Sequence, residues 1–320
     1  MKYAPLLILP LLALTACQKQ PKAYLSIVDQ EGRYDFITAE GQTLLGYQHA
    51  VYPAPEGQNP AYARSGFLHP VNTRAGQRLT QIQPDDHYHH YGIWNPWTHT
   101  SFRGREIDFW NLAKKQGAVR FAGLQNKVET AHETEIQIKH EHVVFNEDGS
   151  ETVALNELQT IALSATDSPQ QYLLDLTCEY TCATDDPFRI IEYRYGGLGW
   201  RATEVWNGEN SSVLTSEGIP REGSDGSLAR WVIAQGEVDG ANAGLALMSH
   251  PSNYNHPEPL RIWPKENHDG QLFVNFAPTK TTDWTLEPGQ TYTLRYRMLI
   301  FAGDLDASEV ENAWQTFAKN

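Results

Sequence analysis

The sequence is short of sulfur and of positive charge. It holds three cysteines and three methionines in 320 residues. Cys17 closes an apolar leader, so the body of the chain has only Cys178 and Cys182, in YLLDLTCEYTC. Read as a strand, this stretch places Leu174, Leu176, Cys178, Tyr180 and Cys182 on one face. Four residues of strand span roughly 13 Å, beyond the roughly 7 Å limit between the Cα atoms of a disulfide. The pair is therefore expected as small buried hydrophobes, which excludes a disulfide framework and a dithiol redox centre. Lys and Arg number 25 against 39 Asp and Glu, a formal net charge of −14. A nucleic-acid partner is excluded on that ground, because phosphate binding rests on Lys and Arg. The sequence also lacks a nucleophile elbow, a phosphate-cradling glycine loop, a dinucleotide fingerprint and any repeat of fixed period. Beyond the leader, no segment approaches the ~20 apolar residues of a membrane helix.

The leader itself, MKYAPLLILPLLALTAC, has one positive charge at Lys2, an apolar core from Leu6 to Leu14 and small residues before Cys17. Residues 1–17 thus read as a secretory signal, and residues 18–320 as a single mature domain. Leu14-Thr15-Ala16-Cys17 resembles the lipobox of bacterial lipoproteins. The resemblance implies cleavage before Cys17 and acylation of its side chain and new N-terminus, and more than one chain gives stable anchoring. The absence of Asp after Cys17 implies the outer membrane.

With 40% hydrophobic and 20% charged residues, nine Trp and fifteen Tyr, the composition is that of a globular protein. Period-two patterning runs along most of it. Ile136, Ile138, His140, His142 and Val144 fall on one face of TEIQIKHEHVVF, and Tyr292, Leu294, Tyr296, Met298 and Ile300 on one face of TYTLRYRMLIF. Turn-like DQEGR, NEDGS, TDSPQ, TDDP and EPGQ separate such runs. One helix is expected at the C-terminus, with Ser308 and Glu311 as a capping box before Val310, Ala313, Trp314 and Phe317. Closely spaced strands without βαβ alternation predict an all-β fold, a large antiparallel β-sandwich with a short C-terminal helix. The Pro- and Gly-rich region from Tyr52 to Gly66 reads as a long surface loop.

The densest chemistry lies in PDDHYHHYGIW, Pro84 to Trp94, where two acids and three imidazoles fall within Asp85–His90. If extended, it points Asp85, His87 and His89 one way and Asp86, Tyr88 and His90 the other. Two imidazoles and a carboxylate are a candidate site for a divalent metal, and spacing does not choose among Zn, Mn, Fe and Cu. As a loop, the same stretch lets His87, His89 and His90 converge on one cavity. Without metal, a histidine steered by a neighbouring Asp is a general acid or base near neutral pH. The bland alternative is a tight turn whose polar side chains satisfy backbone groups.

Aromatic residues follow closely, with Trp94, Trp97, Phe102, Phe109 and Trp110 interleaved with Arg103, Arg105, Glu106 and Asp108. Flat faces beside hydrogen-bonding groups suit a sugar ring, so Trp94, Trp97, Trp110, Arg103 and Arg105 are candidate substrate contacts. Core filling is the alternative for each aromatic, and a solvated surface pair for the arginines. Asp108 is a candidate to orient or ligate. A second polar group, SHPSNYNHPEP, offers Asn253 as a contact and His256 as a catalytic candidate, with His250 and Asn255 beside them on a proline-fixed loop. Glu157, an acid inside a strand pattern, is a candidate to project into a cleft.

The order HPV at His69, PDDHYHHYGIW at Pro84, DFW at Asp108, ARW at Arg230, SHPSNYNHP at Ser249 and RYRMLIFAGD at Arg295 resembles a bacterial family of unknown function. That family is often catalogued as methane oxygenase PmoA, although a methane monooxygenase subunit of that name is an integral membrane protein. The resemblance implies a secreted or lipid-anchored β-rich protein of the kind encoded near carbohydrate-utilisation genes, and by analogy a galactose-mutarotase-like supersandwich. It supplies no catalytic assignment. Three functions are consistent with these residues: a carbohydrate-active hydrolase, lyase or epimerase, a metal-dependent oxidoreductase on the same histidines, and a non-catalytic glycan-binding lipoprotein.

Overall fold

The computed structural model describes residues 24–320. The leader, with Cys17, lies outside the described residues.

Two large sheets and one small one account for the strands, and every pairing among the described strands is antiparallel. The eight-stranded sheet runs Ser211–Thr215, Trp231–Val238, Ala241–Ser249, Tyr292–Ala302, Gln171–Cys182, Glu151–Ala165, Glu133–Phe145 and Gly117–Glu129. The nine-stranded sheet runs from Ser26–Gln30 through Arg33–Ile37, Thr43–Gln48, Phe67–Val71, Ile93–Trp94, Gly199–Arg201 and Phe273–Phe276 to Glu258–Ile262 and Leu228–Ala229. A four-stranded sheet, including Thr100–Phe102 and Phe188–Ile190, closes one side.

The alternation legible in the sequence explains how the large sheets stack. Ile136, Ile138, His140, His142 and Val144 are all buried, as are Leu294, Tyr296, Met298 and Ile300. They face Phe36, Leu45, Tyr47, Leu68, Trp200 and Val274 of the opposite sheet within one apolar cluster. Polar bridges cross the same gap: Tyr47 and His140 share a hydrogen bond, and Tyr172 Oη donates to the Asn72 carbonyl at 2.8 Å. Both Cys178 and Cys182 are free thiols.

The C-terminal helix, Ala307–Phe317, covers the outer face of the eight-stranded sheet, where Val310 and Phe317 pack on Trp231, Met248 and Phe301. Its cap lies two residues before the expected one. Asp306 accepts from Ser308 N at 2.7 Å and Glu309 accepts from Asp306 N. Asp caps as well as Ser does, and Glu311 is instead engaged by Arg230 and the Trp231 indole.

Candidate functional site

The stretch Pro84–His90 is not extended, so the alternation that paired Asp85 with His87 and His89 does not apply. Two consecutive turns share His87: its N–H donates to the Pro84 carbonyl at 2.9 Å, and the His90 N–H donates to the His87 carbonyl at 3.0 Å. Gln83 N–H closes the loop on the His90 carbonyl at 2.7 Å, and Ile82 and Tyr91 pair across its base. Reversing the chain twice brings three imidazoles to one side. Ring centroids lie 5.3 Å apart for His87 and His89, 4.7 Å for His87 and His90, and 4.9 Å for His89 and His90. Gly92 makes the exit from this loop possible. Its φ is +55°, and a Cβ there would lie 2.2 Å from the Leu68 carbonyl oxygen.

The histidine loop sits on the outer face of the nine-stranded sheet. Leu68, Ile93, Ile262 and Val274 point inward, so the residues beside them, Phe67, Trp94, Trp263 and Phe273, form a separate outer aromatic cluster with Tyr91 and Trp110. His90 is buried in it, with its ring 5.0 Å from both Trp94 and Phe273. Trp110 arrives from another loop. Asp108, itself buried, holds that loop by accepting from the backbone N–H groups of Trp110 and Asn111 at 2.9 and 2.8 Å and from Lys114 Nζ at 2.7 Å. Gly199 leaves room for the ring, because a Cβ there would lie 2.8 Å from Trp110 Cη2.

These elements enclose a half-open pocket of about 200 Å³, walled by His87, His89 and His90, by the rings of Trp110, Trp263 and Phe273, and by His268, Tyr195, Arg194 and Arg261. Drug-sized ligand pockets run to roughly 300–1,000 Å³, so this one holds the end of a ligand rather than all of it. Underneath, the fully buried Arg201 lies 4.7 Å over the Trp263 ring and donates to Asp86 at 3.1 Å and to Gln271. Asp86 Oδ2 in turn lies 2.9 Å from His87 Nδ1 and 3.5 Å from His268 Nδ1. His268 stacks on Trp263 at 3.8 Å.

Burial governs the ionisation of the pocket. Loss of hydration, reinforced by the neighbouring His87, pushes His89 down to about 4, and His90, wholly buried, falls well below the ordinary imidazole value. His87 and His268 are also lowered by burial, Asp86 opposing in each case. Burial alone would raise Asp86, but Arg201 and His87 outweigh it and hold the carboxyl low. All four imidazoles are thus neutral near pH 7, the form that ligates metal. One nitrogen from each of His87, His89 and His90 lies within 4.8 Å of the others, and Asp86, His87 and His268 form a second such group. Tetrahedral Zn–N bonds of ~2.0–2.1 Å set ligating nitrogens roughly 3.3 Å apart, so the first set draws together to hold an ion. His90 Nδ1 is buried without a hydrogen-bond partner among the described residues.

Other residues singled out from the sequence lie elsewhere. Asp85 is exposed and belongs to neither group, and Asp86 stands in its place beside His87. The Asp108 carboxylate is occupied in the Trp110 loop. Trp97 is buried between Tyr180 and Trp284 in the main core. Arg103 pairs with Asp186, and Arg105 donates to the Asn146 side chain and the Phe145 carbonyl. Asn253 and His256 join Ser249 and Glu258 in a buried cluster beside the C-terminal helix, where His256 stacks over Trp314. Glu157 projects between the sheets, 3.0 Å from His142 and 3.5 Å from His140; burial would raise its carboxyl, but the two imidazoles outweigh that and hold it low. The pocket residues that the sequence did not reveal, Tyr195, Arg194, Arg261, Trp263, His268 and Phe273, come from three distant segments. The local signal is Trp263 just before the turn-rich PKENHDG, which itself contains His268.

Fold and site together define an all-β antiparallel sandwich protein with a histidine-lined pocket on an outer sheet face. Over residues 36–315 the chain matches a family of unknown function, DUF6807, and it belongs to that family. No curated protein matches it. Among solved structures it is similar to the galactose mutarotase related enzyme from Lactobacillus acidophilus, at 8% identity and a TM-score of 0.42 over 88% of this chain and 100% of that one. A galactose mutarotase-like protein from Lactobacillus casei gives 8%, 0.42, 86% and 99%. For a heparan sulfate lyase from Pedobacter heparinus the values are 8%, 0.37, 90% and 36%.

Proposed function

We propose that this protein is a carbohydrate-active enzyme whose His87, His89 and His90 hold one divalent transition-metal ion. The observation that carries the proposal is the convergence of three neutral imidazoles, one ligand atom of each within 4.8 Å of the others, on a pocket with aromatic walls. Three imidazoles suit zinc, copper, iron or nickel and leave a coordination position for substrate. An ion held by these three imidazoles would supply Lewis acidity to a substrate oxygen. Tyr195 supplies an aromatic face for a sugar ring, with the buried Trp110 and Trp263 behind it, and Arg194, Arg261 and His268 supply polar groups for its substituents. Glycoside hydrolysis by the usual route needs two carboxyl groups flanking the bond, and no Asp or Glu is among the residues walling the pocket. The wall favours the lyase and epimerase readings over the hydrolase one. We also read the chain as anchored in the cell envelope through Cys17, at the outer membrane.

Elemental analysis by mass spectrometry tests the metal seat. The full chain, purified without chelator or polyhistidine tag, is expected to carry about one equivalent of transition metal or zinc, and the His87, His89, His90 to Ala triple variant none. Metal-free protein after metal has been supplied overturns the seat and leaves the imidazoles as acid–base groups.

A further inference from the structure

The charge around the pocket runs against the charge of the chain. A protein of net charge −14 walls this pocket with two arginines and no carboxylate. Arg261 reaches Asp225 at 2.6 Å, but Lys280 lies on the same carboxylate at 3.4 Å. Lys280 Nζ also donates to the Arg194 carbonyl at 3.2 Å, which places it next to Arg194 in the fold. Its ammonium is lowered by burial, with Arg261 and Arg194 both contributing repulsion. Nearby Arg189 and Arg201 have their own partners in Asp283 and Asp86. Arg194 pairs with no carboxylate among the described residues; it is exposed, and its guanidinium lies 5.5 Å from the Tyr195 ring centroid. Arg261 and Lys280 thus share one carboxylate, and Arg194 beside them has none. An anion from outside relieves their repulsion, and the planar fork of Arg meets carboxylate and sulfate oxygens two at a time.

We propose that the pocket takes an anionic sugar, its carboxylate or sulfate group received by Arg194 and Arg261 at the rim and its ring lying against Tyr195. This rests on the reading of the pocket as a sugar site and narrows it to a substrate class. A carboxylate held there also fits a reaction that removes a proton from carbon, because a carboxyl group acidifies the hydrogen on the adjacent carbon.

Matched pairs of oligosaccharides test it by calorimetry on the full chain: uronate oligosaccharides against their carboxyl-reduced forms, and sulfated oligosaccharides against their desulfated forms. The acidic member of one pair is expected to bind about tenfold or more tighter, a difference of ~1.4 kcal/mol, and to weaken with added salt. The pair that shows the preference identifies the anion. Arg194→Ala is expected to erase the preference and Arg194→Lys to keep part of it, with unchanged melting temperatures for both because the side chain is exposed. Equal binding of acidic and neutral members overturns the anionic class while leaving a sugar site standing, and a preference that survives in Arg194→Ala overturns the seat of the anion at Arg194. Failure of every member of every pair to bind overturns the sugar site together with it.

Discussion

Glu258 is the buried carboxylate whose surroundings do least to keep it charged. Ser249 Oγ donates to it at 2.6 Å, Asn253 Nδ2 at 2.8 Å and Tyr296 Oη at 3.0 Å, while His256, itself lowered by burial, faces Ser249 rather than the carboxylate. Among the described residues no cation reaches it, so burial wins over the three hydrogen bonds and raises its pKa from 4.5 to about 7. The folded state then binds a proton that the unfolded chain has released between those two values. The stabilisation is complete below pH 4.5 and is lost as pH rises towards and through 7, a difference on the order of 3 kcal/mol. Urea unfolding of the wild type and of Glu258→Gln across this range is expected to show the wild type losing stability relative to the variant as pH rises. A difference that stays flat with pH would remove the buried proton from the account. The contrast with Glu157, equally buried but flanked by His140 and His142, shows that neighbours rather than depth decide which buried acid keeps its charge.

At the scale of elements, the turn pair around His87 depends on a residue outside it. Gly92 has φ of +55° and passes over the Leu68 carbonyl, so Gly92→Ala adds a left-handed strain and a backbone clash together. The expected cost is at least ~2 kcal/mol in denaturant unfolding, together with weaker metal uptake, since the loop must move off the sheet. Unchanged stability and uptake would mean that the sheet yields there instead. Strands buried on one face are legible by their pattern: from Ile136 to His142 buried and partly exposed residues alternate. The helix start was less so, since Asp306 and Ser308 are both good caps, and Glu309 and Glu311 each complete a box in the sequence. What decides between them is the pull of Arg230 and Trp231 on Glu311, a contact across some eighty residues of chain.

Over the whole molecule, the same limit separates what the sequence discloses from what it conceals. The cluster Asp85–His90 was visible because its chemistry is contiguous, but which face each imidazole takes depends on two turns that no alternation encodes. Trp97 and Trp110 look alike in the sequence, yet one fills the core and the other lines the pocket, because the small sheet turns the chain between them. Arginines were expected at Arg103 and Arg105, whereas those at the pocket are Arg194 and Arg261, supplied by segments that only folding brings together. The proposed envelope anchor belongs to this scale too. Mass spectrometry of the N-terminal peptide from native membranes is expected to find Cys17 at the new terminus carrying acyl chains, and Cys17→Ser to release the protein from the membrane fraction. A soluble wild type with residues 1–17 intact would count against the anchor. The three imidazoles of the double turn come from one short loop that seals itself by the hydrogen bond from Gln83 to His90, while the walls around it come from loops far away in the chain. Exchange of the wall loops would therefore reshape the pocket while leaving the loop that carries the three imidazoles unbroken.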